Sequence, residues 1–105
     1  MIKNVGDTVY KYTLKNEKIF VHEGIIVEGR VRNFVHFEDR NLAARLPKEN
    51  EFGIVQVSGP SLWLTEKNDE LAKRIFIEYL ENGILELEEK INRRSKLVNL
   101  LKEEL

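Results

Sequence analysis

The sequence predicts an α+β protein, in which a small β-barrel formed by residues 1–64 is followed by one long helix, residues 65–105, that forms a coiled coil. Two observations lead to this prediction. The first 64 residues contain a succession of short β-branched and aromatic segments that are separated by glycines and polar turns. Residues 77–105 then carry an apolar heptad repeat with one polar exception, which is the pattern of a helix that pairs with another helix.

The N-terminal region contains five short segments of strand-forming residues. They span residues 9–14, 18–27, 31–37, 52–57 and 62–64. Gly24 lies inside the second segment, and a glycine in a strand interior indicates a bulge or a sharp bend. Residues 38–50 are charged and irregular, with Pro47 as a breaker, so we expect a loop there. Several short strands joined by turns in so short a region are typical of a small barrel.

A long helix is predicted to begin at Thr65. The hydroxyl of Thr65 can accept a backbone N–H of the first turn, and the acidic residues that follow favour the positive end of the helix dipole. Because no proline follows, the helix would contain about 39 residues and be roughly 58 Å long. A break at Asn82-Gly83, which would give a helical hairpin, is the alternative, since glycine in a helix interior costs about 1 kcal/mol relative to alanine.

The heptad places apolar side chains along one side of this helix. The a and d positions are Ile77, Leu80, Ile84, Leu87, Ile91, Arg94, Val98, Leu101 and Leu105. The a positions are mostly β-branched and the d positions mostly leucine, a combination that parallel two-stranded coiled coils prefer. We therefore predict that these residues form the dimerisation interface of a homodimer, with parallel or antiparallel pairing and higher oligomers left open. Arg94 would either fix the register or receive an acidic partner.

The first turns of the helix are apolar on more than one side, which indicates burial on two sides. We expect Leu71, Ile75 and Tyr79 to lie on the barrel, while Ile77 and Leu80 begin the intermolecular interface. The alternative is that the whole apolar stripe packs on its own barrel. A barrel of this size is only about 25 Å across and cannot cover so long a helix. The distal half therefore needs a second copy, another protein or disorder.

Three further leucines, Leu85, Leu97 and Leu100, lie outside the a and d positions. They would be exposed, widen the interface toward more than two helices, or contact another protein.

Several short motifs follow one another in a characteristic order. They are Gly6-Asp7-Thr8-Val9-Tyr10, Gly24-Ile25-Ile26, Phe34-Val35-His36-Phe37, Gly53-Ile54-Val55-Gln56-Val57 and Leu62-Trp63-Leu64-Thr65. This order resembles SH3-like barrels of the KOW/Tudor type. A barrel that closes on Leu64-Thr65-Glu66 and continues into a charged heptad helix is similar to small accessory proteins of phages and prophages in low-GC Gram-positive bacteria. The resemblance implies an architecture and a setting rather than an activity.

The composition excludes several classes of function. The net charge of −1 gives no global attraction to nucleic acid or to anionic membranes. The absence of cysteine excludes disulfides, thiolate catalysis and cysteine-ligated zinc.

The N-terminus lacks the apolar run of a signal peptide, and no stretch approaches about 18 apolar residues. We expect a protein of the cytoplasm, which by the resemblance is that of a bacterial host, without membrane partners.

No motif indicates catalysis, a metal or a cofactor. His22 and His36 are the only histidines, and we expect both to be ordinary strand residues. The acidic pair Glu38-Asp39 beside His36 is a common loop feature. Residues 58–61 lack the Gly-Lys-Ser/Thr element of a phosphate loop. We therefore predict that the protein is not an enzyme and that it has no metal site and no cofactor.

A basic and aromatic stretch is the best candidate for a contact with a partner other than a second copy. The predicted partner-binding residues are Arg30, Arg32, Phe34, Arg40, Arg45 and Trp63. Arginines beside exposed aromatic rings can contact a nucleic-acid backbone and stack on bases. Acidic residues are interleaved with them, however, and would cancel much of the positive potential. Trp63 is expected to be buried or packed where the barrel meets the helix, with an exposed binding anchor as the alternative.

The sequence thus predicts a non-enzymatic protein-binding module that forms a homodimer. By its resemblance it would be a phage or prophage accessory protein that binds or inhibits a host protein, possibly one of a defence system. The alternative is a nucleic-acid-binding accessory factor that uses the surface from Arg30 to Lys48.

Overall fold

The computed structural model of the chain describes residues 4–39, 42–57 and 59–105. These residues form five strands, a short 3-10 helix at Glu49–Glu51 and one long α-helix. The strands are β1 (Thr8–Lys15), β2 (Lys18–Val27), β3 (Phe34–Phe37), β4 (Leu42–Arg45) and β5 (Ser61–Leu64), and the helix is α1 (Asp69–Glu103). The predicted α+β class, with strands first and one long helix last, is confirmed.

The strands form one antiparallel sheet with the order β4-β3-β2-β1-β5. Its centre is the β1–β2 hairpin, whose two-residue turn consists of Asn16 and Glu17. Both have positive φ angles, 51° and 65°, as the turns that match the twist of a hairpin require. The sheet curls into a half-barrel.

Gly24 lies in β2 and pairs with Val9 of β1. The register runs through this pair without interruption, so a bulge, one of the two features expected there, does not occur. A Cβ atom at this position would overlap the side chains of Val35 and Phe37. The glycine is therefore needed for close packing between β2 and the side chains of β3.

Two apolar clusters form the core, one on each side of the sheet. The cluster inside the curl consists of Val9, Ile26, Val35, Phe37 and Trp63. The cluster between the sheet and the helix consists of Tyr12, Leu62, Leu64, Ala72 and Phe76. Strand β5 contributes to both clusters, because Leu62 and Leu64 face the helix whereas Trp63 faces the inside of the curl. Trp63 is thus buried, as predicted, but Leu62 and Leu64 occupy the junction with the helix.

The structure corrects two strand predictions. Residues 52–57 form a turn and an isolated bridge from Gln56 to Ser61 rather than a strand. Strand β4 lies instead within residues 38–50, which were predicted to be irregular. Its sequence has little strand propensity, but it pairs antiparallel with β3, and such tertiary pairing outweighs propensity. Strand β3 begins at Phe34 rather than at Val31, which is 88% exposed in the preceding loop.

The helix begins three residues later than predicted, because Asn68 rather than Thr65 is the capping residue. The Oδ1 atom of Asn68 accepts a hydrogen bond of 3.0 Å from the backbone N–H of Leu71. The hydroxyl of Tyr12 accepts the Asn68 N–H at 3.0 Å and donates to Oδ1 of Asp69 at 2.7 Å. Burial, together with the hydrogen bond to Asp69, raises the pKa of Tyr12 to about 12. These bonds attach the helix N-terminus directly to the centre of the sheet.

The helix is continuous through Asn82 and Gly83, so the helical hairpin does not form. Ala72 and Phe76 are its buried residues, and Ile75 packs against them. Leu71, which was expected on the barrel, is 41% exposed because Ala72 and Phe76 occupy the sheet-facing side instead. The 35 residues of the helix span roughly 52 Å, and the molecule measures 67 × 31 × 26 Å. The distal part of the helix therefore extends beyond the sheet.

Candidate interaction surface

One side of the helix exposes a row of large apolar side chains. We call it the seam, and it consists of the apolar a and d residues Ile77, Leu80, Ile84, Leu87, Ile91, Val98, Leu101 and Leu105. The first seven of these side chains are between 48% and 62% exposed. Leucine and isoleucine side chains in such a continuous row indicate an interaction surface, since monomeric proteins rarely expose large apolar patches.

The seam is exposed because the sheet covers only the beginning of the helix. The buried helix residues, Ala72 and Phe76, lie in its first two turns, and every residue from Ile84 onward is exposed. The alternative that the whole stripe packs on its own barrel is therefore wrong. Leu85, Leu97 and Leu100 are also exposed, between 52% and 59%.

A shallow apolar groove marks the place where the seam leaves the sheet. Val57 forms one wall, and the helix residues Leu80, Gly83, Ile84 and Leu87 form the other. Val57 is 79% exposed although it lies close to the helix. Gly83 has no side chain and a Cβ there would meet no atom within 4 Å, so the groove is open at its centre. Its volume of about 530 Å³ can receive several apolar side chains.

Arg94 is the polar d residue that lies between the seam residues Ile91 and Val98. It borders a second shallow hollow together with Ile91 and Val98. Among the described residues Arg94 forms no salt bridge, whereas its neighbour Arg93 lies 3.8 Å from Glu89 on the same helix. The guanidinium of Arg94 is thus available to a group outside a single chain.

The structure brings two of the predicted partner-binding residues together. Phe34 and Arg45 are direct cross-strand neighbours in the β3–β4 pair, and Phe34 is 37% exposed. Arg30 and Arg32 are exposed in the loop before β3. This loop packs closely on Phe34, because a Cβ at Gly29 would overlap the Phe34 ring and the Arg32 carbonyl.

Of the remaining two predicted partner-binding residues, Arg40 lies outside the described residues and Trp63 is mostly buried. Trp63 is 5% exposed, its ring is 5.8 Å from that of Phe37, and the ammonium of Lys11 lies 5.6 Å above it. Trp63 and Arg45 both line a small hollow.

The contact between His22 and Asp39 was not predicted from the sequence. Nδ1 of His22 lies 2.6 Å from Oδ2 of Asp39, which connects β2 to the turn after β3. The Nε2 atom of His22 is buried and has no hydrogen-bond partner among the described residues, and the His22 ring meets that of Phe37 edge to face. The two residues are 17 positions apart, so only the β2–β3 pairing reveals the contact. No group of three or more metal-ligating side chains occurs in the described part of the chain.

The fold and this surface define a structural class: a curled antiparallel sheet from which an amphipathic helix extends with its apolar side uncovered. None of the helices formed by the described residues is long and apolar enough to span a membrane. Comparison with protein families, with curated proteins and with solved structures finds no match to the chain.

Proposed function

We propose that the protein is a homodimeric, non-enzymatic protein-binding module whose helices pair through the seam as a coiled coil. The observation that supports this proposal is the row of half-exposed apolar side chains along the helix. Exposing such a row to water is unfavourable, so we expect a second apolar surface to cover it. A second copy of the same helix carries apolar residues at the same heptad spacing and can therefore provide this surface. The identical chain is always available as a partner, whereas any other helix would have to carry the same spacing.

The size of the seam agrees with a stable dimer. Eight apolar side chains that each expose about half of their area amount to roughly 700–800 Å² per chain, which is about the contribution of one partner to a standard protein interface. A coiled coil buries this area in a dry interface, so the free energy gained from burial is available for association.

Pairing of the helices would present two copies of the sheet to a target. In this proposal the sheet is an SH3-like barrel, and the target contacts the surface around Phe34 and Arg45 with the adjacent loop of Arg30 and Arg32. The resemblance of the sequence to phage and prophage accessory proteins supports a host protein as the target, which the dimer would bind or inhibit in the bacterial cytoplasm.

Light scattering at several concentrations tests the association. We expect a mass of about twice 12.3 kDa at micromolar concentration. A mass that stays at 12.3 kDa up to high concentration would refute the coiled-coil dimer.

Target binding is tested by affinity capture from a bacterial lysate with the wild-type dimer and two variants. The variant Phe34→Ser with Arg45→Ser should lose the captured protein. The control Phe20→Ser, at an exposed residue of β2 near the β1–β2 turn and outside this surface, should retain it. Equal capture by all three proteins would exclude the Phe34–Arg45 surface as the binding site.

Nucleic acid is the second candidate partner, and the pairing of Phe34 with Arg45 is the observation that favours it. An exposed ring beside a guanidinium can stack on a base while the charge contacts phosphate. Retention on DNA that weakens steeply with salt, and that Arg45→Ser abolishes, would support this function over protein binding. A column that does not retain the protein at low salt would exclude it.

A further inference from the structure

The seam can pair with a second copy in two directions, and the charges beside it distinguish them. We infer that the two helices run antiparallel, with the C-terminal leucines Leu101 and Leu105 of each copy seated in the Val57 groove of the other. This inference rests on the proposed dimer and identifies what the groove receives.

A parallel, in-register pair would place like charges together. Arg94 would face Arg94 of the second copy in the same apolar layer, where two guanidiniums repel and lose water. The flanking positions offer no compensation. In a parallel pair, Glu88 would lie next to Gly83, Lys90 next to Ser95, and Lys102 next to Leu97 of the second copy. None of these contacts joins opposite charges, although such flanking pairs usually set the direction of coiled coils.

An antiparallel pair removes this repulsion and adds attraction. In the register that places Ile91 opposite Arg94 of the second copy, Arg94 lies within reach of Glu88 across the interface. The same register places Glu81 next to Lys102, and the two-fold axis repeats both contacts. Glu81, Glu88, Arg94 and Lys102 form no salt bridge with another described residue of their own chain, so all four groups are available.

The same register also fills the groove. Leu80 is then opposite Leu105 of the second copy, and Ile84 is opposite Leu101. These are the helix residues that line the groove with Val57. The leucines of the second copy would therefore enter the space that Gly83 leaves open, and the whole seam from residue 80 to residue 105 would be covered. A shift by one heptad in one direction would leave Leu80 and Ile84 uncovered, and a shift in the other direction would place Leu105 opposite Lys73.

Distances between spin labels test the direction. The chain contains no cysteine, so Asn92→Cys and Glu103→Cys each provide one label per chain at an outward-facing position. In the antiparallel register Asn92 and its copy are displaced by about 1.5 Å along the axis, whereas Glu103 and its copy are displaced by roughly 32 Å. In a parallel pair neither residue is displaced from its copy.

For the Asn92→Cys dimer we expect a short distance, because the two labels are separated almost entirely in the lateral direction. For the Glu103→Cys dimer the axial displacement adds to the lateral separation, so we expect a distance that is longer by at least 15 Å. Short distances for both labels would overturn the antiparallel arrangement while leaving the proposed dimer intact. A monomeric mass without an intermolecular signal would instead refute the dimer itself.

The groove is tested separately by a charge at its wall. Val57→Asp should raise the dissociation constant of the dimer at least tenfold, since it places a carboxylate beside incoming leucines. Val31→Asp makes the same change at a more exposed residue in the loop before β3 and should leave the constant unchanged. Equal dissociation constants for the two variants would show that nothing enters the groove.

Discussion

Replacing two neighbouring seam residues by aspartate should convert the dimer to a monomer without unfolding the sheet. The variant is Leu87→Asp with Ile91→Asp. Both side chains lie in the distal part of the helix and are 60% and 62% exposed in a single chain. They contribute nothing to either core cluster, so the sheet and the first turns of the helix should keep their packing.

The magnitude follows from the area that these residues can bury. About 100 Å² of each side chain becomes available on pairing, which is worth roughly 2.5 kcal/mol at 25 cal/mol per Å². The dimer contains four such side chains, so the variant would lose on the order of 10 kcal/mol before the cost of burying carboxylates is added. A dissociation constant of 1 μM corresponds to about 8 kcal/mol. The variant should therefore remain monomeric at millimolar concentration.

Light scattering provides the assay, with tryptophan fluorescence as the check on folding. The matched control is Leu85→Asp with Leu100→Asp, which introduces the same charges on the same helix outside the a and d positions. We expect the control to remain a dimer. A monomeric control would show that the interface extends beyond the seam. A dimeric seam variant would refute the reasoning from exposed area.

Three further predictions concern the fold. Tyr12→Phe should lower the free energy of unfolding in urea by about 1–2 kcal/mol, because Asp69 and the helix N-terminus lose their hydrogen bonds to the hydroxyl. The pKa of Tyr12 is about 12 in the folded protein and 10.0 in the unfolded chain, so the stabilisation is complete below pH 10 and is lost between pH 10 and pH 12. The Tyr12→Phe variant should lack this pH dependence. Gly24→Ala should lower the melting temperature, because the added methyl group overpacks the core at a cost of about 1–3 kcal/mol. Gly83 has open space around it, so Gly83→Ala should raise the stability of the helix by up to about 1 kcal/mol. Equal effects of the two variants would contradict the close packing at Gly24. Trp63 should emit at short wavelength and resist iodide quenching, and emission like that of free tryptophan would contradict its burial.

The features that depend on local periodicity could be predicted from the sequence. The heptad predicted the helix and its apolar side, because apolar residues spaced every three or four positions fall on one side of an α-helix whatever the rest of the fold is. The first two strands, the polar turn between them and the burial of Trp63 were also predicted. The outcome for the dimer interface stays a prediction, because a single chain shows that the seam is exposed but not what covers it.

The errors arose where the rest of the fold decides the local structure. Thr65 and Asn68 are both good capping residues, and the contact of Tyr12 with residues 68 and 69 selects the second. Leu71 has the more apolar side chain, but the close approach of helix and sheet favours the small Ala72. Neither choice can be read from a pattern within the helix, since each depends on a strand more than 50 residues earlier.

The candidate partner surface shows the same limit. Phe34 and Arg45 are 11 positions apart, and only the unexpected strand β4 brings them side by side. The contact between His22 and Asp39 likewise depends on strand pairing. A search for clustered residues along the sequence finds the arginines but cannot show which of them share a face.

The attachment of the helix to Tyr12 has a consequence for any target that the dimer binds. A helix hydrogen-bonded to the centre of the sheet at its first residue, and continuous for 35 residues, holds its direction relative to the sheet. Two sheets joined through such helices would be kept at a fixed separation rather than on flexible linkers. The dimer would then gain avidity only on targets whose two binding sites are spaced to match, and it would bind single sites with the weaker affinity of one sheet.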